Sequence, residues 1–170
     1  MKFFFAVIAL LFASPAIAQA QLAPELSSLS FLVGKWGNGA GHVSDTNGPS
    51  TGSSVITIEA NGAALLRRDH TDLLGKDGKI DRGFDQMMLI YSESGGVRAD
   101  FVDGERHVIH YTRATIASGK SVLFEVEAGK GPDFKLKYEL SAPNELTITF
   151  GMQRPEGIAP IAVGTLKRTN

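Results

Sequence analysis

Turn-forming residue pairs interrupt this chain at short, regular intervals, a punctuation incompatible with a fold built from long helices. They stand at Asn47-Gly48-Pro49, Asn61-Gly62, Asp77-Gly78, Gly95-Gly96, Asp103-Gly104, Ser118-Gly119, Gly129 to Pro132, Pro143-Asn144 and Pro155-Glu156-Gly157. Nine turns therefore separate ten extended segments. Asn-Gly, Asp-Gly and Gly-Gly supply the positive φ of two-residue hairpin turns, so consecutive segments pair antiparallel. A long meander leaves two raw edges, and closing the sheet on itself removes both. The expected fold is all-β: an up-and-down antiparallel β-barrel of about ten strands.

Three of the segments alternate cleanly. Phe134, Leu136, Tyr138 and Leu140 oppose Lys135, Lys137 and Glu139; Leu146, Ile148, Phe150 and Met152 oppose Glu145, Thr147 and Thr149; Val122, Phe124 and Val126 oppose Glu125 and Glu127. Each reads as a half-buried strand. The stretches Arg67 to Asp72 and Arg98 to Arg113 carry charges, histidines and aromatics on both faces, and their pattern does not choose an inward side. A barrel interior lined partly by polar groups has the character of a ligand cavity rather than a dry core. Pro24 to Leu32 is the helical candidate. Its Leu26, Leu29 and Leu32 recur every three residues and suggest a short N-terminal helical plug at one barrel mouth.

Between that plug and the first turn runs Phe31-Leu-Val-Gly-Lys-Trp-Gly-Asn-Gly-Ala-Gly41. In an unbroken strand Gly37, Gly39 and Gly41 share one face, and Trp36 shares the other with Asn38, Ala40 and His42. Glycines in line allow a sharp bend or the close approach of another backbone, which fits a barrel corner. A phosphate loop does not fit, because Trp36 follows Lys35 where Ser or Thr is required. A calcium loop around Asp77-Gly78 fails because Leu73 and Phe84 fall on its first and last ligand positions.

Met1 to Ala18 has a lysine at its start, an apolar run from Phe3 to Ala13 and a small-residue site at Ala16-Ile17-Ala18, the parts of a secretory signal peptide. A second site at Ala18-Gln19-Ala20 allows cleavage after residue 20 instead. Residues 19–170 are then expected to form a single barrel domain, exported to a bacterial periplasm, with no stable membrane span left after cleavage. The full chain's 17 basic and 18 acidic groups are interspersed, which gives no footprint for nucleic acid. The chain has no cysteine, so neither disulfides nor thiolate chemistry are available.

The polar constellation of interest is Arg68 and His70 on one face of their strand, with Asp100, Arg106, His110 and Tyr111 from later strands. Pointing inward, they would orient a ligand's carboxylate or carbonyl, and His70 or His110 could serve as general acid or base. Four histidines without a chelating spacing give no expected metal site. No Gly-x-Ser-x-Gly elbow occurs.

The run Phe31-Leu32-Val33-Gly34-Lys35-Trp36-Gly37-Asn38-Gly39 resembles the opening of calycin-type barrels, in particular nitrobindin-like and lipocalin-like exported domains. Gly62 to Leu66, Met87 to Tyr91 and Val108 to Tyr111 look like later strands of the same group. The resemblance implies a ten-stranded barrel with a helical plug that holds a small hydrophobic molecule or haem. Nitrobindins ligate haem through a histidine on the last strand, and Ile161 to Lys167 contains none, so no cofactor is expected. The leading expectation is a monomeric or homodimeric barrel that binds an apolar or amphiphilic molecule without catalysis. Its contacts would be Trp36, Phe101, Phe124, Phe134, Tyr138 and Phe150, with Arg68 and His110 fixing the polar end. The alternatives are a barrel isomerase or hydrolase that uses His70 or His110, and a packed interaction barrel.

Overall fold

The computed structural model describes residues 21–44, 48–127, 129 and 131–169. The expected signal peptide lies outside the described residues. Among the described residues eleven strands form one antiparallel sheet: β1 (Gly34–Val43), β2 (Gly48–Glu59), β3 (Ala64–Leu74), β4 (Ile80–Glu93), β5 (Gly96–Asp103), β6 (Val108–Tyr111), β7 (Arg113–Ala117), β8 (Ser121–Glu125), β9 (Phe134–Ala142), β10 (Glu145–Arg154) and β11 (Gly157–Thr169). Neighbours in sequence are neighbours in the sheet except for β6 and β7, which stand at its two ends, and β1 also pairs with β11.

The ring closes through a single segment. β6 pairs with β5, β7 pairs with β8, and only Thr112 separates β6 from β7. One run from Val108 to Ala117 thus changes partners half-way, its switch fixed by the Thr112 amide donating to the Glu125 carbonyl (3.0 Å). Counting that run once gives the ten segments read from the turns. Ser94 and Gly95, both at positive φ, make the tight turn between β4 and β5.

Pro24–Leu32 forms 3₁₀ helix. Side chains three apart eclipse one another in that geometry, so the leucine spacing of three becomes one fully buried stripe of Leu26, Leu29 and Leu32. The segment packs on β4, β5 and β7. Its last carbonyls are satisfied from the barrel: Trp36 Nε1 donates to the Leu32 carbonyl (2.8 Å), and the Arg168 guanidinium donates to those of Val33 (2.7 Å) and Phe31 (2.9 Å). The same guanidinium lies 4.1 Å from the centre of the Trp36 ring, a cation–π contact that caps the buried indole.

The alternation expected for the glycine line is broken. β1 pairs Trp36 with Arg168, Gly37 with Lys167, and then Ala40 with Thr165. Asn38 and Gly39 together therefore face the single residue Leu166. This β-bulge reverses the strand's facing, so Gly39 and Gly41 share the inner face with Trp36 instead of opposing it. Only glycine fits at the bulge, because a Cβ on Gly39 would stand 2.3 Å from Leu166 Cδ2 and 2.9 Å from the Gly52 carbonyl oxygen. The Thr51 hydroxyl holds the bulge by donating to the Gly39 carbonyl (2.8 Å).

Candidate functional site

The barrel interior divides into two ends. At the helical end the inner face is filled: Leu26, Leu29, Leu32, Trp36, Ile56, Leu65, Ile90, Phe124, Tyr138 and Leu146 are each at most 1% exposed. Toward the other end the inward residues of three adjacent strands shrink. β1 passes from Trp36 to Gly39 and Gly41, β2 from Ile56 and Ser54 to Gly52 and Ser50, and β11 from Leu166 to Gly164 and Ala162. Opposite this thin wall, β9 and β10 keep Phe134, Leu136, Ile148 and Phe150. The mismatch leaves an open-mouthed cavity of about 700 Å³.

Its floor is polar. Arg67 and Asp69, two apart on β3, both turn inward; they are 5% and 8% exposed and form an ion pair. Arg67 also donates to the Tyr138 hydroxyl, which in turn lies 3.5 Å from Met88 Sδ. Arg67 Nε and Asp69 Oδ1 have no hydrogen-bond partner among the described residues. Tyr111, 2% exposed, borders the cavity beside them. Burial pushes its hydroxyl well above the ordinary tyrosine range, the neighbouring Tyr138 adds to this, and Arg67 only partly opposes it. Tyr138 is raised by burial in the same way, again with Arg67 pulling it down. Both phenols stay neutral at physiological pH.

The rim carries the remaining charges: Arg82, Asp103, Glu105, Arg106 and His107. Asp103 organises the loop between β5 and β6. Its carboxylate accepts from the amides of Glu105 and His107 (both 2.9 Å) and pairs with His107 Nδ1 (2.8 Å). Burial alone would raise the Asp103 carboxyl, but the hydrogen bonds from His107 outweigh it and hold it below its usual range. The hydrogen bond to Asp103 raises His107. Donor atoms of Asp103, Glu105 and His107 lie within 4.8 Å of one another; Asp103 already spends its oxygens on the loop.

The expected contacts separate into three groups. Phe101 and Phe150, with Phe134, line the cavity. Trp36, Phe124 and Tyr138 sit in the filled end, where Phe124 meets Tyr138 edge-on at 6.1 Å. Arg68 and His110, expected inside, are on the outer face, because their strands turn the neighbouring residues inward: Arg67 and Asp69 on β3, Ile109 and Tyr111 on β6. His110 is exposed and bonded to Asp100 (2.6 Å), which also accepts from the Tyr91 hydroxyl (3.1 Å). His70 lies at the outer rim, half exposed, against Asp85 (2.7 Å) and Asp72 (3.1 Å). All four histidines are exposed. His70 and His107 border the cavity mouth from exposed positions, and His42 and His110 do not line it.

The sequence reading missed Arg67 and Asp69. The signal that finds them lies at the strand's ends: Leu65 and Leu73 are both odd-numbered, and extending their alternation inward selects Arg67, Asp69 and Thr71.

No family model matches the chain, and no curated protein matches it. Among solved structures it is similar to the crystal structure of Rv2717c from M. tuberculosis, with 15% identity and a TM-score of 0.62 over 88% of this chain and 100% of that one. An S-type phycobiliprotein lyase from Guillardia theta shares 10% identity at a TM-score of 0.48, covering 82% of this chain and 89% of the lyase. The likeness to Rv2717c is one of all-β, barrel-like fold. Among the described residues no helix is long and apolar enough to cross a membrane.

Proposed function

We propose that this chain is an exported, calycin-type binding barrel that holds an apolar or amphiphilic small molecule in its open end, without a resident cofactor and without catalysis. The observation that carries the reading is the cavity. Its volume of about 700 Å³ falls within the roughly 300–1,000 Å³ typical of small-molecule sites, and apolar walls with a few convergent polar groups are the usual composition of such sites. Phe101, Phe134, Leu136, Ile148 and Phe150 provide the walls; Arg67, Asp69 and Tyr111 provide the polar groups. The pattern of Met1 to Ala18 supports export, the periplasm of a bacterium being the proposed destination and monomer or homodimer the proposed state.

Gly164 offers the direct test, because a Cβ placed there meets nothing within 4 Å and a larger side chain enters the void. Wild-type protein should bind a neutral fluorescent apolar probe such as N-phenyl-1-naphthylamine, and Gly164→Phe should bind it at least about tenfold more weakly while remaining folded. Equal probe binding by both proteins would place the probe elsewhere and sink the reading. A native mass spectrum of protein from its own host, with its N-terminus at Gln19 or Gln21, should carry the added mass of the ligand and confirm export together.

A further inference from the structure

The floor of the cavity has charge but no net charge. Arg67 and Asp69 neutralise one another, and the other charged side chains around the cavity gather at the rim, where Arg82, Glu105 and His107 are each more than two-fifths exposed. What the floor holds unspent is hydrogen-bonding capacity. Arg67 Nε–H is a donor without an acceptor, Asp69 Oδ1 an acceptor without a donor. The Tyr111 hydroxyl, in a residue 2% exposed, is both and makes no hydrogen bond among the described residues. Arg67 Nε and Asp69 Oδ1 are shut off from water, which makes leaving them unpaired costly, while the Tyr111 hydroxyl is not shut off; a partner that supplies a donor and an acceptor together is therefore favoured.

Building on the binding function proposed above, we infer that the floor selects an apolar molecule ending in an uncharged donor–acceptor group, of which a primary carboxamide is the simplest case, over the same molecule ending in a carboxylate or an ammonium. A carboxylate would bring a second negative charge against Asp69, and an ammonium a second positive charge against Arg67. Either leaves one uncompensated charge in a buried site. A carboxamide accepts through its oxygen and donates through its nitrogen without adding charge, while its chain runs out along Phe101, Phe134 and Phe150. This differs from the carboxylate recognition that an inward Arg68 would have given, because the inward arginine already has its carboxylate.

A displacement titration with three ligands of one chain length tests the inference: dodecanamide, dodecanoate and dodecylammonium against bound N-phenyl-1-naphthylamine at pH 8, below their micelle thresholds. Dodecanamide should displace the probe at concentrations at least about tenfold lower than either ion. Asp69→Asn leaves Arg67 as the only floor charge, and dodecanoate should then overtake dodecanamide. Tyr111→Phe, which keeps both charges, should weaken dodecanamide and leave the ratio of the two ions unmoved, so the inference stands on a second variant if Asp69→Asn does not fold. Dodecanoate equal to or tighter than dodecanamide on the wild type would overturn the head-group inference and leave the cavity's binding function standing. Failure of the probe itself to bind would overturn both.

Discussion

The two ends of this barrel are built on the same strands and differ in what those strands turn inward. On β1 the step is from Trp36 to Gly39 and Gly41, on β2 from Ile56 to Gly52, on β11 from Leu166 to Gly164. At the large end the interior closes over Leu26, Leu29 and Leu32 and is solid. At the small end it opens to about 700 Å³. A ten-segment barrel can do either, since small barrels can be filled by their own side chains or hold a ligand. The choice is made strand by strand, and the bulge at Asn38 and Gly39 is the point on β1 where it changes. Buried packing is thus concentrated in one end and open space in the other.

The largest expected effect comes from emptying the filled end. Trp36 is 1% exposed, donates to the helical segment through Leu32 and lies beneath Arg168. Trp36→Ala should cost about 3–5 kcal/mol, the range for truncating a large buried aromatic, read from denaturant or thermal unfolding. Wild-type stability in this variant would mean that the filled end is not what holds the barrel together. At the boundary, Gly39→Val forces a branched side chain between Leu166 and the Gly52 carbonyl. Leu166 can turn aside, but the carbonyl belongs to the ladder, so the expected loss is about 1–3 kcal/mol, with the melting transition again the measure.

These two sites also mark what was legible in the sequence. The strands of β8, β9 and β10 could be read because their apolar and polar residues alternate, Leu123 apart, and the 3₁₀ stripe could be read because its leucines recur every three residues. Trp36 stands out as the chain's only tryptophan, yet the reading that makes it a ligand contact places it at the wrong end, since it is buried in the filled one. The facing of Gly39 was not legible, because the bulge depends on Leu166 and Gly52, which lie far along the chain or on a neighbouring strand. The inward side of β3 was missed for a different reason. Arg67-Arg68-Asp69-His70 offers a charged or ionisable side chain to either face, and a one-residue shift exchanges one polar set for the other. The face that carries Arg68 and His70 points outward, and their immediate neighbours Arg67 and Asp69 form the floor. Likewise the switch at Thr112 needs two partner strands, β5 and β8, and nothing local announces it.

The hollow end should tolerate what the filled end does not. Gly164→Phe adds a large side chain to open space at an ordinary strand φ, so its unfolding free energy should stay within about 0.5 kcal/mol of wild type, even as probe binding falls. A loss on the scale of Trp36→Ala would show that the space is smaller than described and would erase the contrast between the ends.

The smallest effect is electrostatic and belongs to the hollow end alone. Burial keeps Tyr138 in the filled end and Tyr111 at the cavity floor neutral across the physiological range, whereas the rim holds the Asp103–His107 pair. The hydrogen bond to Asp103 raises His107 above its ordinary 6.5, so its contribution is complete below about pH 6.5 and is lost as pH rises through the raised value. Asp103 is lowered on balance, so its contribution is complete above its ordinary 3.8 and is lost as pH falls through the lowered value. The pair therefore orders the β5–β6 loop best between about pH 4 and 6.5. His107 is 65% exposed, and water and salt screen most of the pairing, so the effect should register in local opening rather than in global stability. Amide exchange corrected for its intrinsic pH dependence should show the amides of Glu105 and His107 less protected at pH 8.5 than at pH 6, with the Trp36 and Phe124 amides unchanged. In Asp103→Asn the difference should vanish and the His107 titration midpoint, followed by NMR, should fall toward 6.5. A midpoint that does not move would mean that the rim pair is not formed in solution, and the pH response would then give no way to tell the hollow end from the filled one.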